Sequence, residues 1–336
     1  MKRVILIIIA AALLVSLTAC NSGQQTPDLE ENPPQETEKT TPPEAEEPMP
    51  PSPAQPKPPS TAEETHPPSS AFTFTMENMP VIDGSTATIP LIEAVYSVLL
   101  GIPRDEAALM VNTSGTDFAF DNLFWGDAEI LLVYSPSPDT LESARSNNIE
   151  LEMAPIGRDG LVFLVNKINP VVSLTPEQLV SIYSGETSNW KDAGGEDVEI
   201  KAFQRPYRSG SQTMMNELVM KGVPMAETEE GYIIGEMGGL IEAVALFDNA
   251  QSAIGYNVYY FVSRMEMNEN VLMLQVDGVP PSTMSISDGS YPFVLDFYAV
   301  IRKDTPEDSP ARVLYEWIQS SDGQNLVKHE GYATAG

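Results

Sequence analysis

Three short turns rich in glycine, serine and threonine each lead directly into a predicted helix. Such a turn offers unpaired backbone N–H groups, a hydroxyl and the positive end of a helix dipole, which together favour an anion. One turn of this kind is most often an ordinary helix cap, but three in a single chain predict an oxyanion site. They are Gly84-Ser85-Thr86, Thr113-Ser114-Gly115-Thr116 and Ser209-Gly210-Ser211.

An arginine just ahead of the third turn strengthens this prediction. Arg205 stands four residues before Ser209, and a guanidinium presents a planar fork of N–H donors that fits two oxygens of a tetrahedral anion. Arg208 lies nearer to the turn and could serve instead. A surface arginine without a ligand is the plain alternative, so the prediction depends on the pairing of Arg205 with its turn.

The elements that must position these turns alternate between strand-like and helical patterns. This alternation predicts α/β architecture. Predicted strands cover 130–134, 161–165, 253–256 and 293–302. Apolar residues at helical spacing cover 91–100, 176–183, 214–220 and 311–319.

Several segments, taken together and in order, resemble one known family. They are Gly84-Ser85-Thr86 with Pro90, 174–185 with Asn189-Trp190, 205–211, 254–256 and 288–292. Over essentially all of residues 80–336 the chain is similar to the phosphate-binding proteins of phosphate ABC transporters, the PstS family, and to their Gram-positive relatives.

The resemblance implies a two-lobed, type II-like periplasmic-binding-protein (Venus-flytrap) fold, in which N–H groups, hydroxyls and one arginine hold phosphate between the lobes. Lobe 1 is expected at about 73–155 plus 260–336 and lobe 2 at about 156–259. Carried over position by position, the resemblance implies ligand contacts from Thr86, the N–H of Ala87, Ser114 or Thr116, Ser135, Arg205, Ser209, Gly210 and Ser211.

Two positions depart from the family pattern. The aspartate that accepts the proton of hydrogen phosphate is replaced at about Pro136, and the acid that braces the arginine is replaced near Tyr207. Without an acceptor the site loses its main preference for phosphate over sulfate, because a mismatched buried polar group costs about 1–3 kcal/mol. Asp127, Glu129 or Asp139 could supply an acid from a shifted position. The expected ligand is therefore an oxyanion, with phosphate first.

The N-terminus has the pattern of a lipoprotein signal. Lys2 and Arg3 precede an apolar run at 4–17 that is shorter than a membrane span, and Leu17-Thr18-Ala19-Cys20 ends it. We expect residues 1–19 to be removed and Cys20 to carry a diacylglycerol, the alternative being a simple secretory signal. Cys20 is the only cysteine, which excludes disulfides and thiolate metal clusters within the chain.

Residues 20–72 then form a linker rich in proline, glutamate and threonine. Between 21 and 70 it holds 14 of the 29 prolines and few large apolar residues, so it is predicted to be a disordered, extended spacer. The remaining part, 73–336, is long enough for two α/β lobes with cores of their own.

Composition excludes several other functions. A formal net charge of −30 repels nucleic acid. Only two histidines occur, His66 and His329, so neither a Ser-His-Asp triad nor a transition-metal site is expected. The tetrapeptide from Ser188 to Lys191 formally matches the Ser-x-x-Lys pattern of acyl enzymes but lacks the companion Lys-Thr-Gly and a helix start. We therefore expect neither catalysis nor a metal nor a cofactor.

The sequence thus predicts a monomeric extracytoplasmic lipoprotein of a Gram-positive cell membrane that captures phosphate, or a related oxyanion, and delivers it to an ABC transporter permease. The alternative is a sensor or surface-binding lipoprotein of the same fold with altered or lost ligand specificity. Pro136 in place of an acid is the best support for that alternative.

Overall fold

The computed structural model describes residues 72–334. The predicted signal segment, Cys20, and all but the last residue of the predicted spacer lie outside these residues. Within the described range, no helix is both long enough and apolar enough to cross a lipid bilayer.

Strands and helices alternate along the described residues, as predicted. The strands are β1 (Ile82–Gly84), β2 (Ile130–Val133), β3 (Leu151–Asn166), β4 (Ser173–Leu174), β5 (Lys201–Ala202), β6 (Ala253–Val258), β7 (Val271–Met273), β8 (Gln275–Val276) and β9 (Val294–Arg302). The α-helices are α1 (Ile89–Leu100), α2 (Arg104–Ala108), α3 (Thr116–Trp125), α4 (Pro138–Ser146), α5 (Pro176–Tyr183), α6 (Gly210–Met214), α7 (Met237–Leu246), α8 (Thr283–Ser287), α9 (Pro310–Gln319) and α10 (Ser321–His329).

The predicted strands and helices are confirmed, with one difference. All four residues of β2 and all six of β6 are buried, which is why β2 reads as a continuous apolar run and β6 as one interrupted only by Asn257. The helix predicted at 214–220 is only partly α-helical, because α6 ends at Met214 and a π-helical turn continues it from Met215 to Met220.

One long strand joins two regions of sheet. The first part of β3, Leu151–Gly160, pairs antiparallel with β9, whereas Leu161–Val165 pairs antiparallel with β6. β1, β2 and β9 complete the first region, and β5, β6 and β7 complete the second. The fold is therefore the predicted two-lobed α/β arrangement.

The strand pairings also bear on where the lobes divide. β7 pairs with residues 164–166 of β3 and so belongs to the second region, and the chain returns to the first region only with β9. We propose that the second lobe runs from about 161 to about 293. Both boundaries lie later in the chain than the expected 156 and 259, and the expected boundaries stay predictions.

Two of the predicted turns lie side by side at one edge of the sheet. β1 and β2 run parallel, with Gly84 opposite Leu132, so both strands end at the same edge, and the N–H of Gly115 before α3 donates to the carbonyl oxygen of Gly84 at 3.2 Å. Phe120, Leu123 and Phe124 of α3 are buried in a cluster that includes residues of β2 and β9. This packing fixes the start of α3 at the edge where parallel strands of α/β proteins present ligand sites.

Candidate functional site

A cleft of about 350 Å³ lies between the two regions. All three predicted turns line it, through Thr86, Ser114, Thr116, Ser209, Gly210 and Ser211. We call the turns after β1 and before α3 the first wall. The second wall consists of the turns before α6 and α7.

Hydroxyl groups on the first wall are connected by hydrogen bonds. The Oγ of Ser85 lies 2.9 Å from Oγ1 of Thr116 and accepts a hydrogen bond from the backbone N–H of Tyr134 at 3.2 Å. The Oγ1 of Thr88 lies within hydrogen-bond distance of the carbonyl oxygens of Ser85 and Leu132, at 2.8 and 2.7 Å. The end of β1, the end of β2 and the start of α3 are thereby held as one polar surface.

A buried carboxylate lies behind the first wall. Asp83, which is 4% exposed, accepts hydrogen bonds from the backbone N–H groups of Gly84 and Ser114 and from the side-chain amide of Asn122. Because these donors belong to two different turns, Asp83 fixes their spacing. The sequence analysis did not single it out, although it immediately precedes the first turn.

The helix starts on the two walls differ in capping. Ser209 caps α6 with its own hydroxyl, which accepts from the N–H of Gln212 at 3.2 Å. The residue that precedes α3 is Gly115, which has no side chain to cap the helix. The first-turn N–H groups of α3 therefore have no capping side chain. The residues at this helix start, Gly115, Thr116 and Phe118, line the cleft.

Arg205 is buried in the second wall, where it is 7% exposed. Its Nη1 donates to the carbonyl oxygen of Ile234 at 2.7 Å, its Nε donates to Oγ of Ser211 at 3.3 Å, and its backbone N–H donates to the hydroxyl of Tyr256 at 3.0 Å. Burial lowers the pKa of its guanidinium, and the charges of Tyr256 and Glu236 oppose this shift.

A buried guanidinium normally has a carboxylate partner. Among the described residues, none forms a salt bridge with Arg205. Arg208, by contrast, pairs with Asp121 of α3, the helix that starts at the first wall. The absence of a salt bridge within the described residues favours Arg205 over Arg208 as the predicted ligand arginine.

Two of the predicted contact residues lie outside the cleft lining. Ala87 is fully buried, and its carbonyl oxygen accepts from the hydroxyl of Tyr332 at 2.8 Å. Ser135 is half-buried and is not among the lining residues of the cleft. Among the alternatives at the start of α3, both Ser114 and Thr116 line the cleft, and Thr116 is the buried one.

Neither Pro136 nor the acids considered as substitutes for it reach the cleft. Asp127, Glu129 and Asp139 are not among its lining residues, and a carboxylate oxygen of Glu129 instead accepts from the N–H of Val81 at 2.9 Å. The one carboxylate in the lining is Glu236, at the residue before α7.

Glu236 and Tyr134 were missed by the sequence analysis. Glu236 lies in a glycine-rich stretch, 235–239, at the start of the apolar helix α7, the same signal that identified the other turns but without serine or threonine. Tyr134 is the last residue of the predicted strand 130–134, directly follows β2 and lines the cleft, while its hydroxyl donates to the buried carboxylate of Asp159 at 2.7 Å.

The resulting chemistry suits binding of a small anion. Backbone N–H groups, hydroxyls and one unpaired guanidinium converge on the cleft, with a single carboxylate. Within residues 72–334, no group of three or more histidine, cysteine, aspartate or glutamate side chains is arranged to hold a metal ion.

Comparison with known proteins identifies relatives of the same architecture. Residues 75–322 match the family described as PBP superfamily domain. The phosphate-binding protein PstS of Bacillus subtilis is 23% identical over 254 residues, which are 75% of this chain and 79% of that protein. PstS of Staphylococcus saprophyticus is 27% identical over 234 residues, or 68% of this chain and 71% of that protein.

A third relative, PstS of Borreliella burgdorferi, is 25% identical over 179 residues, which are 52% of this chain and 62% of that protein. The match thus spans less than two thirds of that protein. The matches to the Bacillus subtilis and Staphylococcus saprophyticus proteins each span more than two thirds of the relative's length.

Two solved structures share the fold. A proposed phosphate ABC transporter substrate-binding protein from Clostridium perfringens, crystallised with phosphate, has a TM-score of 0.59 at 22% identity, over 76% of this chain and 99% of that one. An ABC-type phosphate transport receptor from Vibrio cholerae has a TM-score of 0.55 at 21% identity, with coverage of 76% and 99%. The predicted family resemblance and fold are confirmed.

Proposed function

This chain belongs to the PBP superfamily, and on that premise we propose that it captures inorganic phosphate, or a related oxyanion, and delivers it to an ABC transporter. The observation that carries the proposal is the convergence of three anion-ready turns and the buried, unpaired Arg205 on one cleft. Its relatives are phosphate-binding and substrate-binding proteins, and the prediction that the chain is not an enzyme is confirmed.

The contacts assigned to the ligand follow from the geometry of the two walls. On the first wall we propose the hydroxyls of Thr86 and Thr116 and the N–H groups at the start of α3. On the second wall we propose Arg205, together with the N–H groups of Gly210 and Ser211. Such a site replaces the hydration shell of an anion with fixed dipoles and one positive charge.

Glu236 supports phosphate over sulfate. A carboxylate facing the ligand accepts a hydrogen bond from a protonated oxyanion but repels one that is fully ionised. Phosphate carries a proton at neutral pH, whereas sulfate does not. Because Glu236 is the one carboxylate in the cleft lining, we assign it the acceptor role that Pro136 cannot fill.

The proposed location is the outer face of the cell membrane. A diacylglycerol on Cys20 would anchor the protein, because two acyl chains give stable attachment where one is marginal. The proline-rich residues 21–72 would then extend a monomeric binding domain away from the bilayer towards its ligand. The permease and the lipid membrane are the proposed partners.

Equilibrium dialysis of labelled phosphate against the full-length protein in detergent tests the proposed ligand. We expect saturable phosphate binding that sulfate competes for only weakly. Glu236→Gln should narrow the difference between the two anions, because the amide no longer repels sulfate. Absence of phosphate binding would contradict phosphate capture, and equal competition by sulfate in the wild type would contradict the role of Glu236.

A sensor or surface-binding lipoprotein of the same fold is the second candidate. The observation that favours it is the buried Pro136 at the position where the family has an aspartate. Transport and sensing are separated by whether a permease and an ATPase are encoded beside this chain, and by whether the purified protein stimulates phosphate uptake in membranes that contain that permease.

A further inference from the structure

We propose that Arg208 is a clasp: it links the two walls of the cleft to each other without being the arginine that holds the ligand. The clasp favours the closed cleft and so sets how long an anion stays bound. Its effect on affinity rests on the proposed function, whereas its effect on closure does not.

The contacts of Arg208 all cross from the second wall to one helix of the first region. Its Nη2 bonds to the carboxylate of Asp121 and donates to the carbonyl oxygen of Asp117 at 3.2 Å. The guanidinium carbon lies 4.1 Å from the centre of the Phe118 ring. Three different interactions therefore join one side chain to the first two turns of α3.

Burial of the pair is intermediate. The side chains of Arg208 and Asp121 are 33% and 34% exposed. The ion pair is therefore buried enough to contribute to closure, but its solvent exposure lets salt screen the attraction between the two charges. Phe118 is half exposed, and stacking of a guanidinium over its face accounts for an aromatic ring at the rim of a polar cleft.

The pair also differs from the other ion pairs of the described residues in what it connects. Arg145 and Glu142 belong to the same helix, Arg158 and Asp296 lie on paired strands, and Lys201 and Glu199 are two residues apart. Within residues 72–334, the bond between Arg208 and Asp121 is the ion pair that spans the cleft.

A contact made only when the cleft is closed changes ligand affinity through the open–closed balance. The apparent dissociation constant equals the intrinsic one divided by the fraction of protein that is competent to bind. Loss of the clasp lowers the closed fraction and speeds anion release, while the direct contacts to the anion stay the same.

The affinity test uses full-length protein in detergent, with phosphate as the probe and stopped-flow measurement of its release. Arg208→Ala should raise the dissociation constant and the release rate by about five- to tenfold. Arg208→Lys should recover part of the loss, since it keeps the charge but not the planar stacking. Asp121→Asn should give a smaller loss, because the contacts of Arg208 with Asp117 and Phe118 remain, and the double variant should be no worse than Arg208→Ala alone.

The control variant is Arg145→Ala, which removes the same charge from an exposed pair within one helix. It should leave affinity and release unchanged. In high salt the difference between the wild type and Arg208→Ala should shrink. Unchanged release in Arg208→Ala, or fully additive effects of the two single variants, would overturn the clasp.

Hydrogen exchange without phosphate separates the clasp from the proposed ligand. In the absence of anion, backbone amides at the start of α3 and in α6 should exchange faster in Arg208→Ala than in Arg145→Ala. If the wild type does not bind phosphate but this difference is present, the proposed ligand fails and the clasp stands. If exchange is the same in both variants, the clasp is wrong whatever the ligand.

Discussion

The two walls of the cleft are built on different principles. The first wall presents neutral hydroxyls and N–H groups connected by hydrogen bonds, with the buried carboxylate of Asp83 behind them. The second wall presents charges to the cleft, namely Arg205, Arg208 and Glu236. On the proposed function, the first wall would orient the anion, whereas the second wall would supply the charge that attracts it and that discriminates between anions.

Replacement of Arg205 is the strongest test of the different roles proposed for the two walls. Arg205→Ala should weaken phosphate binding by about 2–5 kcal/mol, roughly 30-fold or more, because it leaves a buried anion without its charged partner. Arg205→Lys should rescue binding only in part, since a lysine lacks the fork of donors. Isothermal titration calorimetry measures both. If Arg205→Ala binds phosphate as tightly as the control variant Arg145→Ala, Arg205 is not the charge on which binding depends.

A second prediction concerns Asp159, the acid that accepts a hydrogen bond from Tyr134 at the end of β2. Asp159 lies on β3 near the passage between regions, where its carboxylate accepts from the hydroxyl of Tyr134 and from the N–H groups of Gly160 and Tyr260. Burial raises the pKa of Asp159 to about 6, against the opposing effect of these hydrogen bonds. The folded protein therefore holds this proton more tightly than the unfolded chain does.

The sign of the pH effect follows from that pKa. Between about pH 4 and pH 6 the folded state binds more protons than the unfolded state, so the contribution of Asp159 to the free energy of unfolding falls as the pH rises. Asp159→Asn cannot ionise and should remove this decline, which amounts to at most about 3 kcal/mol. Urea unfolding of both proteins at the two ends of the range measures it.

Asp288→Asn serves as the control of opposite sign. Hydrogen bonds from Ser290 lower the pKa of Asp288, so its replacement removes stability that grows with rising pH. If the wild type and Asp159→Asn lose stability in parallel between acid and neutral pH, Asp159 does not titrate as proposed.

The third prediction tests how closely the walls approach. A Cβ added at Gly210 would lie 2.4 Å from Oγ1 of Thr116 on the opposite wall. Gly210→Ala should therefore hinder closure and weaken phosphate binding by about 1–3 kcal/mol. Gly235→Ala is the matched control, because nothing lies within 4 Å of its added Cβ. Equal affinities of the two variants would show that the walls do not meet at Gly210.

Local chemistry determined much of this protein from its sequence alone. The helix starts at α3 and α6 and the buried strands β2 and β6 could be predicted because caps, glycine turns and apolar runs involve residues that are neighbours in the chain. The prediction that the three turns serve one anion site gains support from their meeting in one cleft.

Only the tertiary structure decided which charges face the cleft. Arg205 and Arg208 are three residues apart, and the sequence favoured Arg205 with Arg208 as its alternative. In the structure Arg208 pairs with Asp121, 87 positions away, whereas Arg205 is buried and forms no salt bridge within the described residues. Likewise, Glu236 enters the lining while the acids nearest to Pro136 do not. Ion pairing and burial depend on contacts between distant segments, so no local pattern specifies them.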